Sequence, residues 1–369
     1  MLQGTNLTGG ETFYQQWSGT SPQVGTHYLF VADKDIDTCV AAGMNCFRLL
    51  FGWEAYEYSP EYRAALNGRV NYILSKNCTV VLDIHPGDAN YGAAYYGVKI
   101  PGFSGGFAVG SRLAKTWQGL ATIYQGQPRV QFGLMNEPNG VKPADWFAAA
   151  QLCIDSIRAV GNTSTVWCPG ADWDAASNWT AANGPAWNLK DTANNLGVQV
   201  HMYFDANNGG GGTDIVSASI GVERLKNTVD WARGKGLKVL LGEVGLQASQ
   251  PLAKTAWGNL VAYMAQEQAT VAGWLWWAYG PPIWWSKYQF SLCSSDGAQM
   301  KLAFPAPVPP PVDTRDQQIV DLTARVIDLS NKASDLKTMV VNLQSENARW
   351  TDRIKTLEAR IADAKVALG

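Results

Sequence analysis

Two glutamates follow short apolar segments of the chain in a way that suits acid–base chemistry. Glu137 comes directly after an Asn, and Glu243 comes directly after a Gly. Cleavage of a glycosidic bond needs one carboxylic acid that protonates the leaving oxygen and one carboxylate that attacks the anomeric carbon. Their surroundings must hold the two pKa values apart. We therefore predict that these two glutamates form a catalytic pair.

Other polar and aromatic side chains stand at the ends of similar apolar segments. Arg48 and Tyr203 would come within reach of Glu243 if the segments close into a barrel, and a cation and a phenol donor would keep that carboxylate ionised. Such side chains beside apolar strands are costly unless they are paired or functional. One of them could be a structural ion pair, but polar groups at six segment ends predict a site. The members besides the glutamates are Arg48, His85, Asn136, His201, Tyr203 and Trp277.

The chain offers little to a metal or a cofactor. Its only histidines are His27, His85 and His201, and they do not form a cluster at metal-ligand spacing. None of the six cysteines belongs to a CxxC pair. We predict no metal site and no cofactor, and we interpret His27 as incidental. The pairing of the cysteines, and with it the redox compartment, stays open.

Eight apolar segments of strand length alternate with stretches of helical periodicity up to Phe304. A (β/α)8 barrel takes roughly 250 residues and presents its catalytic groups at the carboxyl ends of the strands. We predict this α/β TIM barrel over residues 1–304. A doubly wound sheet is the weaker alternative, because no GxGxxG spacing follows the first segment. The predicted strands are Gly4–Thr8, Asn45–Leu50, Thr79–Ile84, Val130–Met135, Thr165–Cys168, Gln199–Tyr203, Lys238–Leu241 and Gly273–Trp277, and two of the predicted helices are Pro143–Val160 and Leu252–Gln268.

The sequence changes character after the barrel. Residues 305–312 form a Pro-rich stretch that predicts an extended, semi-rigid linker. Residues 313–369 repeat apolar side chains in the register of an α-helical coiled coil. A single amphipathic helix docked on the barrel would show a wider apolar stripe. Heptad position a carries Ile319, Val326, Ala333, Val340, Asn347, Ile354, Ile361 and Leu368, and position d carries Leu322, Leu329, Leu336, Leu343, Trp350, Leu357 and Ala364.

Two features bear on the number of helices in this coiled coil. Asn347 is a polar residue at an a position, a register-setting device that is often found in dimers. Arg353 and Glu358 resemble the Arg-x-x-x-x-Glu pattern that flanks the seam of many short parallel trimers. We predict self-association as a homotrimer and keep the dimer as the alternative.

Composition narrows the classes of function. The chain has 369 residues and a formal net charge of -2, so bulk electrostatics favour neither nucleic acid nor an anionic membrane. No apolar run approaches the ~18 residues that a membrane helix needs. The 16 Trp fit a carbohydrate site, because indole faces stack on sugar rings, although large barrels also bury Trp in their cores. Candidate platforms are Trp173, Trp179, Trp284 and Trp285.

The N-terminus shows no signal-peptide pattern, so either a leader has been removed or the protein has none. We nevertheless predict an extracellular, secreted protein.

The motifs, taken in order, resemble glycoside hydrolase family 5, the retaining cellulase-type barrels, and within it the endoglucanase subfamily 5. The resemblance runs from Gly4 to about Leu292, and the ordered set is specific, whereas a lone Asn-Glu-Pro would be shared by related barrels. The matching segments are Gly-Thr-Asn-Leu at 4–7, Gly-Met-Asn-Cys-Phe-Arg at 43–48, Asp-Ile-His at 83–85, Gly-Leu-Met-Asn-Glu-Pro at 133–138, His-Met-Tyr-Phe-Asp at 201–205, Gly-Glu at 242–243 and Trp-Trp-Ala-Tyr-Gly-Pro at 276–281.

The resemblance implies an activity and a role for each catalytic residue. The protein would be a retaining endo-β-1,4-glucanase that acts on a β-glucan by double displacement. Glu137 would be its acid/base and Glu243 its nucleophile. Arg48 and Tyr203 would position Glu243 and stabilise its charge.

The resemblance also implies a surrounding set. Asn136 would bind the 2-hydroxyl of the sugar in the −1 subsite, and His201 would tune the acid/base. Trp277 would floor this subsite, although strand phase decides whether it or Trp276 points inward. His85 completes the set.

The chain departs from the family pattern in three places. Residues 86–91 lengthen the loop after the third strand, where the family reads His-Asn-Tyr directly. The loop Asp205–Thr213 lacks the cysteine that often follows it, and the linker and coiled coil are not part of the pattern. The alternatives to a glucanase are a β-mannanase or xyloglucanase on the same barrel, or a non-catalytic carbohydrate-binding adhesion protein on a stalk.

Overall fold

The structure, a computed structural model, describes residues 1–11, 22–85 and 107–305. In the C-terminal segment it describes residues 329, 332, 333, 336, 337, 340, 344, 347 and 349–360. The lengthened loop at 86–91, the linker beyond Pro305 and several of the predicted heptad positions lie outside the described residues.

Eight parallel strands close into a barrel, with each strand hydrogen-bonded to its neighbours in chain order. The predicted (β/α)8 TIM barrel is therefore confirmed. The strands are β1 (Leu2–Leu7), β2 (Cys46–Phe51), β3 (Thr79–Ile84), β4 (Val130–Gly133), β5 (Val166–Pro169), β6 (Leu196–Tyr203), β7 (Lys238–Gly245) and β8 (Val271–Tyr279).

Helices connect the strands, and local sequence explains where several of them begin. The Ser59 side chain accepts a hydrogen bond from the amide of Tyr62 at 3.1 Å, and Pro60 occupies the first turn of the helix Pro60–Ser75. Pro143 likewise begins the helix Pro143–Ala159. The helices are α1 (Asp33–Ala41), α2 (Trp53–Tyr58), α3 (Pro60–Ser75), α4 (Phe107–Ile123), α5 (Pro143–Ala159), α6 (Trp179–Asn183), α7 (Ile220–Gly234), α8 (Ala253–Gln266), α9 (Pro282–Trp285) and α10 (Ala298–Ala303).

The strands are buried on both faces, and their side chains alternate between two apolar layers. In β2, Phe47, Leu49 and Phe51 pack against the surrounding helices. Cys46 belongs instead to a separate cluster inside the barrel, made of one residue from each of five strands: Cys46, Val81, Trp167, Leu240 and Leu275. Arg48 lies two residues after Cys46, so the same alternation turns it into the barrel above this cluster.

The observed strand ends differ from the predicted ones where the functional side chains begin. Strand β4 ends at Gly133 instead of Met135, and β7 continues from Leu241 to Gly245. Glu137 has a positive φ of 40°, which a strand residue does not adopt, so the chain turns away from the ladder before it. The two changes bring both glutamates to the carboxyl ends of their strands.

The chain divides into two compact units, Met1–Ala306 and Pro307–Gly369. In the second unit, residues 349–360 form a continuous helix, and the other described residues between 329 and 347 are also helical. The guanidinium of Arg353 stacks on the ring of Trp350 at 5.5 Å. The domain bounds 1–304, 305–312 and 313–369 stay predictions.

All six cysteines lie within the described residues, and all are free thiols. Five of them are buried, as in apolar packing positions. Within the described part of the chain, no helix is both long enough and apolar enough to cross a membrane.

Candidate active site

A cleft of ≈ 590 Å³ opens at the carboxyl ends of the strands. This is the end of a TIM barrel where catalytic groups are found. Seven of the eight predicted site residues line the cleft: His85, Asn136, Glu137, His201, Tyr203, Glu243 and Trp277. The eighth, Arg48, is fully buried and reaches the cleft residues through hydrogen bonds.

An irregularity in strand β7 turns Glu243 into the cleft. The pairing of β6 with β7 shifts between Val200 and His201, so that His201 pairs with Glu243. Gly242 also faces inward, because a side chain there would place its Cβ 2.7 Å from Gln199. A bulge of this kind re-aims a side chain that strict alternation would have directed outward.

Arg48 connects four partners with its guanidinium. One terminal nitrogen donates to Glu243 at 2.8 Å and to Asn6 at 2.7 Å. The other donates to Asn136 at 2.7 Å and pairs with Asp83 at 2.9 Å. The planar fork fixes these groups relative to one another, and its charge offsets the cost of burying the two carboxylates.

Each carboxylate oxygen of Glu243 accepts a hydrogen bond from a strong donor. Arg48 donates to Oε1 at 2.8 Å, and the hydroxyl of Tyr203 donates to Oε2 at 2.7 Å. Burial and the nearby Glu243 charge raise the pKa of Tyr203 well above its ordinary value, so the phenol keeps its proton and stays a donor. This environment stabilises Glu243 as an oriented carboxylate.

Glu137 lies in a different environment. Its carboxyl loses solvent, and this desolvation raises its pKa to about 7. Electrostatic interactions with His85 and with the Arg48 cation lower this pKa, but by less. A carboxyl with a pKa near neutrality holds a proton that it can give to a leaving group and then take back.

His201 contacts Glu137 directly. Its Nδ1 lies 2.7 Å from Oε1 of Glu137 and 3.5 Å from Oε2 of Glu243. Burial lowers the pKa of His201 to about 3, so the imidazole is neutral at any working pH. A neutral ring with its proton on Nδ1 donates to Glu137, and its Nε2 then faces the amide of Gln199 at 3.4 Å.

The remaining predicted residues form the floor and one wall of the cleft. The amide nitrogen of Asn136 lies 3.3 Å from Nε2 of His85. The His85 ring stacks on Trp277, with 5.6 Å between centroids and 18° between planes. Trp276 points the other way and packs on Trp257 of α8, so strand phase selects Trp277 for the cleft.

Glu137, His201 and Glu243 could each offer one ligand atom to a metal ion, since these atoms lie within 4.8 Å of one another. The chemistry of the set fits a cation poorly. Both Glu243 oxygens already accept hydrogen bonds from Arg48 and Tyr203, and the buried guanidinium repels a second positive charge.

Sequence reasoning missed four residues that support the site. Asn6 and Asp83 hold Arg48, and Gln199 lies beside His201. All three are polar residues at inward positions of apolar strands, and this pattern is a signal that the sequence carries. Asp174, whose carboxylate lies 3.9 Å from Nε2 of His201, stands in a loop and leaves no such signal.

The four candidate Trp platforms have different positions. Trp173 lines the cleft and is partly exposed. Trp179 is fully buried and packs among Trp187 and Trp231, so its prediction as a platform is wrong. Trp285 packs edge-on against Trp277 at 5.9 Å, and Trp284 does not line the cleft.

Comparisons with known proteins agree with this geometry. The family described as Cellulase (glycosyl hydrolase family 5) matches residues 3–280. An endo-beta-1,4-glucanase A from Emericella nidulans is 32% identical over 302 residues, which are 80% of this chain and 87% of that protein.

Solved structures extend the likeness to three dimensions. XacCel5A in complex with cellopentaose has 30% identity and a TM-score of 0.74, over 83% of this chain and 99% of that one. An endo-beta-1,4-glucanase from Xanthomonas axonopodis pv. citri, Xac0029, has 29% identity and a TM-score of 0.72, over 83% and 98% of the two chains.

Proposed function

The chain belongs to the cellulase family, glycosyl hydrolase family 5, and we propose that it is a retaining endo-β-1,4-glucanase. One observation carries the proposal. The carboxyl oxygens of Glu137, in the segment after β4, and Glu243, in β7, lie within 4.8 Å of each other, and of the two only Glu243 is paired with the buried Arg48 cation. Two groups in such different environments can hold one proton between them, as a double displacement requires.

Glu243 is the nucleophile in this proposal, and Glu137 is the acid/base. In the first step a Glu243 oxygen attacks C1 of the sugar, the C1–O bond to the leaving chain breaks, and the Glu137 proton moves to that oxygen. In the second step the Glu137 carboxylate takes a proton from water. The water oxygen attacks C1, and the ester bond to Glu243 breaks.

The separation of the carboxyl groups supports retention of configuration. Retaining enzymes hold the two groups about 5–5.5 Å apart, whereas inverting enzymes need roughly 6.5–9.5 Å to admit a water. Proton NMR of the first products tests this directly. We expect the β-anomer to appear first, and initial α-anomer would refute the mechanism.

The other site residues have supporting roles. Arg48 and Tyr203 position the nucleophile and stabilise its charge. His201 orients the acid/base through the contact of its Nδ1 with Glu137. Trp277, backed by His85, forms a flat apolar floor for a sugar ring.

Asn136 is the residue proposed to bind the 2-hydroxyl of the sugar in the −1 subsite. Its oxygen already accepts from Arg48, and its amide nitrogen lies 3.3 Å from Nε2 of His85. Since this nitrogen carries two protons, one of them is left to donate toward the cleft.

A β-1,4-glucan is the proposed substrate. The similar proteins support it, since they include two endo-β-1,4-glucanases and a complex with cellopentaose. Product analysis on soluble β-1,4-glucan, mannan and xyloglucan tests the choice. A faster rate on mannan or xyloglucan would replace glucan by that polymer, and no hydrolysis of any of them would favour a non-catalytic binding protein.

Variants at the two glutamates test the assignment of the site. Glu137→Gln and Glu243→Gln should each abolish turnover of the glucan, because each removes a group that makes or breaks a bond. Glu223, an exposed glutamate on α7, supplies the control Glu223→Gln, which should keep the rate of the unaltered protein. Normal hydrolysis by both site variants would show that other residues do the chemistry.

We further propose that the C-terminal helix assembles the enzyme as a homotrimer. Apolar side chains at predicted a and d positions are at least half exposed in this chain: Leu329, Leu336, Val340, Trp350, Ile354 and Leu357. Packing these side chains against identical helices would remove that surface from water. Light scattering should give three times the chain mass, whereas twice the mass would indicate the dimer and a single mass would refute assembly.

An extracellular location follows from the proposed substrate. A polymeric glucan does not cross a membrane intact, so an enzyme that cleaves inside the polymer has to meet it outside the cell. Activity measured in the medium and in lysates of the source cells tests this part of the proposal.

A further inference from the structure

The loop after β6 packs a glycine directly against the ring of Tyr203. Gly210 has a φ of 68°, in the left-handed region. A Cβ added there would lie 2.8 Å from two ring carbons of Tyr203, closer than side-chain atoms tolerate. Only glycine lets this backbone approach the ring so closely.

The loop is held in this position from two directions. The Asp205 carboxylate accepts hydrogen bonds from the amides of Gly210 at 3.2 Å and Gly212 at 3.1 Å. On the other side, the Gln289 side chain donates to the carbonyl of Gly210 at 2.6 Å. The glycine is therefore fixed against the ring and does not merely pass near it.

The backbone amide and carbonyl of Tyr203 are also hydrogen-bonded. Its amide donates to the Asn208 side chain at 3.0 Å, and its carbonyl accepts from Arg224 at 2.5 Å. Phe290, next to Gln289 in the chain, stacks on its ring with 22° between the planes. With the backbone and ring fixed in this way, the hydroxyl is aimed at Oε2 of Glu243, 2.7 Å away.

We propose that Gly210 is a positioning residue for the hydrolysis: by packing on the Tyr203 ring it sets the hydrogen bond that the phenol donates to Glu243. The inference rests on the proposed function, because it concerns the nucleophile of that reaction. It adds to the site a residue that is not among those lining the cleft. A side chain at 210 displaces the ring and lengthens the hydrogen bond, even though every catalytic group is still present.

Gly210→Ala is the test variant, and Gly211→Ala is the matched control. Gly211 lies in the same loop, its φ is not positive, and a Cβ there meets nothing within 4 Å. We expect Gly210→Ala to lower kcat on a soluble glucan by about 10- to 100-fold, the value of a hydrogen bond to a charged group. KM should change little, and the control should match the unaltered protein.

A double-mutant cycle with Tyr203→Phe separates positioning from general damage to the loop. If Gly210 acts through the phenol, then Gly210→Ala should cost less than about twofold in the Tyr203→Phe background. An equal loss in both backgrounds, or no loss in the single variant, would overturn the inference. Inactivity of the unaltered protein on every glucan would instead refute the proposed function.

A second variant covers the case in which Gly210→Ala does not fold, as judged by thermal unfolding. Gln289→Ala removes the tether to the Gly210 carbonyl without adding an atom. It should lower kcat by about 2- to 10-fold, since one neutral hydrogen bond is lost, and this loss should also disappear in the Tyr203→Phe background. An unchanged kcat, or a loss that persists without the phenol, would contradict the role of the loop.

Discussion

Replacing Glu137 by glutamine should stabilise the protein at neutral and alkaline pH while it removes the activity. Desolvation raises the pKa of Glu137 from 4.5 to about 7 in the folded protein. The folded protein thus binds the Glu137 proton more tightly than the unfolded chain does. Its contribution to the free energy of unfolding is complete below pH 4.5 and is lost as the pH rises through 7. Glutamine never ionises, so the variant avoids this loss.

The size of the change in the free energy of unfolding follows from the pKa shift of Glu137. At 1.36 kcal/mol per pKa unit, a rise from 4.5 to about 7 corresponds to about 3 kcal/mol. The free energy of unfolding of Glu137→Gln, relative to that of the unaltered protein, should therefore rise by about 3 kcal/mol as the pH increases from 4 to 8. The amide keeps an oxygen for the proton on Nδ1 of His201, so any loss of that contact adds an offset that does not depend on pH.

Urea unfolding followed by Trp fluorescence at pH 4, 6 and 8 measures the difference. Glu223→Gln is the control, because this exposed residue on α7 changes the same functional group without burial. The control should follow the unaltered protein at each pH. A difference between the free energies of unfolding of Glu137→Gln and the unaltered protein that stays constant with pH would refute the assignment of a partly buried, proton-holding carboxyl.

Three further predictions concern the whole site and the tail. For the unaltered enzyme, kcat/KM on soluble glucan should fall about tenfold per pH unit above pH 7 as Glu137 loses its proton; a profile that is flat to pH 9 would contradict this role. Arg48→Met should lower the free energy of unfolding by about 3–5 kcal/mol, because Asp83 and Glu243 lose their shared cation, while Lys226→Met, at an exposed ion pair, should cost at most about 1 kcal/mol. Equal losses in urea unfolding would argue against the buried network. Ending the chain at Phe304 should slow hydrolysis of insoluble glucan more than of soluble oligosaccharides, because linked sites gain avidity on a polymer; an equal loss on both would mean that the tail stabilises the barrel.

Much of the site could be predicted from the order of motifs along the chain. A parallel barrel brings every strand end to one rim, so a polar residue after each apolar segment predicts a common site without knowledge of any distance. Arg48, His85, Asn136, His201 and Tyr203 were all identified by this argument, and the structure brings them to one cleft or directly beneath it.

Other features depended on strand register, which the sequence does not specify. Strict alternation along β7 would turn Glu243 outward, and only the shift in pairing with β6 directs it into the cleft. In the same way, the register of β8 places Trp276 against the surrounding helices and Trp277 in the cleft. Both choices are made by pairing with a neighbouring strand, which is distant in sequence.

The sequence by itself determined the barrel, the pair of glutamates and most of their neighbours, because periodicity and motif order are local properties of the chain. Tertiary structure alone decided the environments that make the pair chemically unequal. Desolvation of Glu137 and the two donors on Glu243 arise from groups on different strands, and burial is a property of the assembled barrel. The contact of Gly210 with Tyr203 has the same origin, since a close approach exists only after the loop has folded back on its strand.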